Sequence, residues 1–243
     1  MQMESKATSP DPWLTAGHEK RSAVQQMFSE IAPTYDRCNA ILSLRLHHRW
    51  RKAAVDKLHL RAGDTVLDAC CGTGDFLDPL RKVVGAQGKI FAYDFCFPML
   101  ARADQKDPAA GLALGDACRA PFQSASFEGV TVGWGIRNVP DQDLAHQEAY
   151  RVLKPGGRFV SVDMAIPRNP IVRGVSKFVF HTLSPALGAL FGAKRAYKYL
   201  PESTERFMTR EQLAKSMAKA GFVEVQWKDF FFGTICMHWG KKL

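Results

Sequence analysis

Between residues 65 and 163, short β-rich runs alternate with stretches of helical periodicity: Thr65 to Ala69, Lys89 to Tyr93, Leu112 to Leu114, Val130 to Trp134 and Arg158 to Asp163. Alternation of this kind specifies a parallel sheet with helices on both faces, in which ligands bind beyond the carboxyl ends of the strands. Chemically informative motifs should then sit at those ends. With 243 residues and 46% hydrophobic content, the chain is long enough for one such domain and short for two.

The flanks complete the plan. Residues 1–20 are rich in Ser, Thr, Pro and Asp without apolar periodicity and read as a mobile arm. Residues 21–243 read as a single domain. Residues 21–60 form a helical pre-domain, because Met27, Phe28, Ile31, Ile41, Leu42, Leu44, Leu46 and Trp50 recur at helical spacing, broken at Pro33. Residues 166–208 form a helical insert placed as a lid over a substrate. A helix from Arg210 to Ala220 precedes β-like runs at Phe222 to Trp227 and Phe230 to His238, which a turn near Asp229 would join into a hairpin. Lys154-Pro155-Gly156-Gly157 reads as a tight turn between a helix and the fifth strand. The expected architecture is a mostly parallel seven-stranded sheet with a C-terminal antiparallel hairpin.

Composition excludes several classes. The six cysteines, Cys38, Cys70, Cys71, Cys96, Cys118 and Cys236, show no CxxC spacing, and the N-terminus has no charged-then-apolar leader. Neither a metal site nor a secreted disulfide framework is expected, and a cytoplasmic location is. The most apolar stretch, Phe178 to Ala193, is interrupted by His181, Ser184 and Pro185 and falls short of the roughly 20 residues that cross a bilayer. A formal net charge of +9 favours anionic partners in general. The basic residues cluster at Arg45 to Lys52 and Lys194 to Lys198 but make no RNA-binding signature, so no nucleic-acid partner is expected.

The strongest chemical signal is Val66-Leu67-Asp68-Ala69-Cys70-Cys71-Gly72-Thr73-Gly74-Asp75, a strand that ends in a carboxylate and enters a glycine turn opening a helix. Glycines let a ligand approach the backbone, and the helix start offers free N–H groups. A dinucleotide fingerprint would place a third glycine where Leu77 stands, and an anionic pyrophosphate would be repelled by Asp68. A cationic sulfonium would not. Asp94, ending the second strand, can accept both hydroxyls of a ribose, and Gly115-Asp116-Ala117 after the third suits the exocyclic amine and ring nitrogen of adenine. Each is weak alone, since strands often end in Asp to cap the next helix. In this order they point to S-adenosylmethionine, and Asp68, Gly72, Thr73, Gly74, Asp94, Asp116 and Ala117 are the expected cofactor residues.

The fourth strand ends Val132-Gly133-Trp134-Gly135-Ile136-Arg137-Asn138-Val139-Pro140-Asp141, which resembles the Gly-hydrophobic-Arg-Asn-Val signature of the ubiquinone and menaquinone biosynthesis C-methyltransferases. Supporting matches are Phe28 to Asp36, Arg151 to Gly157, and Tyr197 to Ser203 with Phe207. The similarity covers residues 22 to 242. Phe127-Glu128 stands where the family usually has Phe-Asp, Asp163-Met164 where it often has Glu-Phe, and Cys96 where a capping serine is commoner. The first two departures keep an acid.

The resemblance implies a class I Rossmann-like fold and methyl transfer from S-adenosylmethionine to a ring carbon of a prenylated quinol. Demethylmenaquinol is the leading substrate and the methoxylated prenyl benzoquinol the alternative. A ring carbon becomes nucleophilic when the adjacent hydroxyl loses its proton, so such an enzyme needs a proton route and an in-line sulfonium. Arg137 is the first candidate to stabilise a phenolate or orient a water; it is a poor base itself because it stays protonated. Asn138 either positions the quinol oxygen or shapes the turn. Tyr197 and Tyr199 either bind the head group or pack the lid, and Tyr35 is expected to close over the methionine end of the cofactor. His146, His47, His48 and His238 are weaker candidates for the base.

Ile171, Val175, Phe178, Val179, Leu183, Leu187, Leu190 and Phe191 either belong to the core, line a tunnel for the prenyl tail, or dip into a membrane surface. In the last case Arg173, Lys177, Lys194 and Arg195 would meet anionic head groups at the inner face. Homodimerisation is left open. Amino-group methyltransferases of nucleic acids carry an Asp/Asn-Pro-Pro-aromatic turn that Gly135 to Val139 does not match. Thiolate-dependent RNA methyltransferases would need a cysteine in the strand-four signature, which has none. The non-enzyme alternative is a cofactor-binding interaction subunit, against which the cofactor motifs and the Arg-Asn signature both weigh.

Overall fold

The computed structural model describes residues 17–190 and 194–243. Residues 1–16 of the expected arm and Phe191 lie outside the described residues, as do the side chains of Leu183, Leu187, Leu190, Lys194 and Arg195, while residues 17–20 open a helix and are not arm.

Val66 and Leu67, adjacent in sequence, bury on opposite faces of one sheet, which is why the strands read as near-continuous apolar runs. The strands are β1 (Thr65–Ala69), β2 (Lys89–Asp94), β3 (Gly111–Leu114), β4 (Phe127–Gly133), β5 (Leu153–Met164), β6 (Val223–Phe230) and β7 (Ile235–Lys241). They form one seven-stranded sheet in the order β3-β2-β1-β4-β5-β7-β6. β1 to β5 are parallel, and β7 runs antiparallel to both β5 and β6, as the alternation and the terminal runs require.

One face is covered by α3 (His47–Leu58), α4 (Leu77–Val84) and α5 (Phe97–Lys106), whose Trp50, Val55, Leu80 and Leu100 pack with Val66, Ile90, Val160 and Val162. The other is covered by α6 (Gln142–Val152) and α9 (Arg210–Lys219), where Val152, Leu213 and Met217 meet Leu67, Val130 and Phe159. α9 opens with a capping box in which Thr209 and Gln212 satisfy each other's backbone N–H.

The pre-domain has two breaks rather than one. α1 (Gly17–Ile31) stops before Pro33, and α2 (Tyr35–Leu42) is parted from α3 by a turn in which Leu44 and Arg45 take positive φ. The lid comprises α7 (Pro170–Leu190) and α8 (Lys194–Glu205). Met27, Ile31 and Cys38 of the pre-domain, Met99 of α5 and Tyr197 and Tyr199 of α8 form a third apolar cluster that roofs the sheet edge.

Two local readings are corrected. Lys154 to Gly157 are not a separate turn: α6 hands directly to β5, and the extra residues make a bulge, since Phe127 pairs with Leu153 but Gly129 with Arg158. Backbone bonds from Gly156 N–H to the Lys242 carbonyl and from Lys242 N–H to the Gly157 carbonyl, both 2.9 Å, hold the bulge in the ladder. The hairpin turn lies at Phe231–Gly233, not near Asp229. Asp229 looks like a turn residue but is a strand residue that accepts a 2.6 Å hydrogen bond from the buried Arg210 Nε.

Candidate active site

Because parallel strands bring their carboxyl ends to one edge, Asp68, Asp94 and Asp116 line a single cleft of about 900 Å³, the open space at its mouth included. Asp68 Oδ1 accepts from the Thr131 hydroxyl at 2.8 Å, while Oδ2 is buried with no partner. Burial pushes this carboxyl up to about 7, against the Thr131 hydrogen bond. Asp94 accepts from the Gly72 N–H at 2.8 Å and the Cys96 N–H at 2.9 Å, which fastens the glycine loop to the end of β2. Burial raises it to about 6 despite those bonds. Asp116 accepts from the Cys118 N–H at 2.9 Å and pairs with Arg21 of α1 at 2.7 Å, with Ala117 beside it in the cavity wall.

Gly72 and Gly74 both take positive φ, 54° and 79°, where side chains are strained. A Cβ on Gly72 would meet nothing, whereas one on Gly74 would lie 2.7 Å from Leu77 and 2.9 Å from Ala103. Gly72 therefore opens the cavity floor, while Gly74 lies outside the lining and lets α4 pack against α5. Thr73 is fully used: its hydroxyl donates to Asp36 of α2 at 2.6 Å, and Lys106 pairs with Asp36 at 2.8 Å and with Asp75. This network bolts the pre-domain to the cofactor loop.

The loop after β4 is built around the Trp134 carbonyl. Trp134 has φ 54°, and its carbonyl accepts from Arg137 Nη1 at 2.7 Å and from Asn138 Nδ2 at 3.0 Å. Gly135 is required because a Cβ there would fall 2.6 Å from that of Cys70 on the neighbouring loop. Arg137 Nη1 also donates to Asp163 Oδ1 of β5 at 2.6 Å, and its Nε is buried without a partner. Asn138 does shape the turn, and its Oδ1 accepts from the Tyr199 hydroxyl of the lid at 2.8 Å. The acid retained as Glu128 accepts from the Thr65 N–H at 2.9 Å and pairs with Lys154 of the bulge.

A second cavity of about 890 Å³ lies between the pre-domain, the lid and the hairpin, lined by apolar residues such as Ile31, Leu42, Trp50, Met164, Phe180 and Ile235. Arg137, Tyr197 and Tyr199 face this cavity, while Asn138 faces the first. Burial raises the Tyr199 hydroxyl to about 12 and the Tyr197 hydroxyl well above its ordinary value, so both keep their protons. Four residues, Phe28, Tyr35, Arg51 and Trp134, line both cavities and form the wall between them. Tyr35 thus sits where a cofactor and a substrate would meet.

Arg51 is the residue that sequence reasoning missed, having been grouped with a basic cluster. Its Nη2 pairs with Asp75 Oδ2 at 2.9 Å, and its guanidinium lies 4.6 Å from the Trp134 ring centroid. Nε and Nη1 are buried with no partner. Asp75 is held below the usual carboxylate range because Arg51 and Lys106 overcome the opposing effect of burial. The helical phase could have found Arg51, since it precedes the buried Ala54, Val55 and Leu58 by three, four and seven positions.

Of the histidines, His146 is buried in α6 against the Ser216 hydroxyl at 2.7 Å, and His238 Nε2 lies 3.0 Å from the Arg210 carbonyl; neither lines either large cavity. His48 is exposed. His47 lines the second cavity.

The first cavity fits an adenosyl sulfonium: the orphaned Asp68 Oδ2 and Arg51 nitrogens match the ammonium and carboxylate of a methionyl group.

The family model of the ubiE/COQ5 methyltransferases matches residues 15–242. The chain is 41% identical over 226 residues to a demethylmenaquinone methyltransferase of Lactiplantibacillus plantarum, covering 90% of this chain and 95% of that protein. It is 38% identical over 229 residues to the protein of that name from Geobacillus stearothermophilus, covering 92% and 98%. Among solved structures, a SAM-dependent methyltransferase of Thermotoga maritima aligns with a TM-score of 0.65 at 23% identity over 90% of this chain and 99% of that one. Phosphoethanolamine N-methyltransferase 2 of Haemonchus contortus, solved with S-adenosylhomocysteine, gives 0.59 at 16% identity over 80% and 52%. At these identities the structural likeness is one of fold.

Proposed function

The chain belongs to the ubiE/COQ5 methyltransferase family, and from that membership we propose that it transfers a methyl group from S-adenosylmethionine to a ring carbon of a prenylated quinol, demethylmenaquinol in the first place. The observation that carries this reading is the pair of cavities with a shared wall: one acidic and fitted to a cationic nucleoside, the other apolar and fitted to a quinol ring and tail. When bound, the cofactor supplies an electrophilic methyl on a sulfonium.

The chain's own residues hold and orient. Asp94 takes the ribose hydroxyls on its remaining lone pairs, Asp116 and Ala117 take the adenine edge, and Arg51 and Asp68 take the two charged ends of the methionyl group. Tyr35 and Trp134 set the approach at the wall. Arg137, neutralised by Asp163, keeps Nε–H as a donor for the quinol oxygen on which negative charge develops, so it acts as an electrostatic stabiliser and not as a base. Asn138 and Tyr199 fix the loop against the lid.

Among the described residues no helix is long and apolar enough to cross a membrane. α7 nonetheless turns Ile171, Val175 and Phe178 outward at i, i+4 and i+7, with Arg173 and Lys177 beside them, and Phe232 stands 80% exposed on the hairpin turn. Gly233 places that turn next to Pro167, in the segment that leads into α7. This face meets an anionic membrane surface from which the prenylated substrate is drawn.

The test is methyl transfer from labelled S-adenosylmethionine to short-chain demethylmenaquinol and to the methoxylated prenyl benzoquinol. Turnover of the naphthoquinol is expected. Binding of S-adenosylhomocysteine without turnover of either quinol would remove the quinone assignment.

A further inference from the structure

Methylating a ring carbon that bears hydrogen must release one proton, and the second cavity holds few groups able to take it. As the ring carbon's electron pair forms the new bond to the methyl, the carbon–sulfur pair stays with sulfur. The ring carbon then carries both hydrogen and methyl, and aromaticity returns only when the C–H bond breaks, its electron pair re-entering the ring and its proton leaving to a base.

Among the described residues lining the cavity, Arg51 and Arg137 remain protonated, and the hydroxyls of Tyr35, Tyr197 and Tyr199 are held above their ordinary values by burial. His47 supplies the one imidazole. The Ser43 hydroxyl donates its proton to the Asn39 carbonyl at 2.6 Å, so toward His47 Nδ1, 2.5 Å away, it can only accept. Nδ1 must then carry the hydrogen, and Nε2 is left as a lone pair. His47 also stands one helical turn before Arg51 on α3, so it shares a helix face with the wall where the two cavities meet.

Resting on the proposed quinol methylation, we infer that His47 Nε2 accepts the ring C–H proton that methyl transfer makes labile, with Ser43 fixing the imidazole tautomer. Burial, then Arg51 and His48, lower the ring to about 4 against the opposing pull of Asp75 and Asp36, so the resting imidazole is neutral. So weak a base suffices because loss of this proton restores an aromatic ring.

The experiment compares wild type with His47→Asn on demethylmenaquinol carrying hydrogen or deuterium at the methylated carbon, with S-adenosylhomocysteine affinity measured by calorimetry. The expected result is unchanged affinity, kcat lowered by about 10²- to 10⁴-fold, and a primary isotope effect that wild type lacks. Ser43→Ala, which leaves the ring in place, should show a smaller loss with the same isotope effect. Unchanged turnover in His47→Asn, or a loss equal for both isotopologues, overturns the assignment to His47. Wild type that binds S-adenosylhomocysteine yet methylates no quinol instead overturns the reading on which it rests.

Discussion

The Tyr199 hydroxyl donates to Asn138 Oδ1 across 2.8 Å, joining the lid helix α8 to the loop that ends β4. Asn138 lines the first cavity and Tyr199 the second, so this one bond couples the two. Tyr199→Phe removes the donor and leaves a part-buried acceptor, which should cost about 1 kcal/mol in denaturant unfolding. Asn138→Ala should cost more, because it also removes the Nδ2 donor from the Trp134 carbonyl, which keeps only Arg137 Nη1. A double-mutant cycle in which the two changes simply add would show that the bond does not couple lid and loop.

Asp68 predicts a pH signature. Its folded carboxyl titrates at about 7 against an ordinary 3.8, so between those values the folded chain keeps a proton that the unfolded chain has lost. The associated stability is complete below the lower value and is lost as pH rises through the upper one. Asp68→Asn removes this dependence. The buried His47, His146 and His238, each lowered to about 4, act in the opposite sense between there and 6.5, and Asp94, raised to about 6, in the same sense, but all are common to both proteins and cancel in the difference. Melting temperatures without ligand should show wild type losing ground to Asp68→Asn from pH 4 to 7 and then levelling off. A flat difference would mean that Asp68 is ionised throughout.

Arg51 should separate the two ends of the ligand. Two of its nitrogens have no partner, but Arg51→Met also leaves the part-buried Asp75 with Lys106 alone, so it should cost about 1–3 kcal/mol in denaturant unfolding. Affinity for S-adenosylhomocysteine should fall about 100-fold, the loss expected when a buried charged partner of a carboxylate is removed. Affinity for methylthioadenosine, which lacks the methionyl carboxylate, should hold. Equal loss for both ligands would assign Arg51 a packing role at the wall.

These residues also mark what the sequence could show. Asp68, Asp94 and Asp116 were legible because each stands at or just past the end of a strand and announces itself in a local run, and a parallel sheet then brings such ends together without further information. Arg51 was not, and His47 stood only among the weaker candidates, because the place of both comes from how α3 packs on the face of the sheet, a tertiary fact that local motifs do not carry. Asp229 and Lys154 to Gly157 misled for the same reason. Turn-like residues were held in strands by Arg210 and by the C-terminal backbone. Arg137 was legible from the motif that follows β4, but its pairing with Asp163 depends on the neighbouring strand.

The outward face of α7 gives the last prediction. Ile171, Val175 and Phe178 are 77%, 60% and 69% exposed, so substitution there removes no packing and leaves the fold and both cavities untouched. If this face inserts into a bilayer surface, Phe178→Glu loses the burial of one aromatic side chain, about 2 kcal/mol, and partitioning to anionic vesicles should fall roughly 30-fold. Turnover of a short-chain quinol in detergent-free buffer should not change, because no tail needs extraction, whereas turnover of a long-chain quinol presented in vesicles should fall with the partitioning. Raised salt should weaken wild-type binding further by screening Arg173 and Lys177. Vesicle binding that survives Phe178→Glu and raised salt alike would place the membrane contact elsewhere on the molecule.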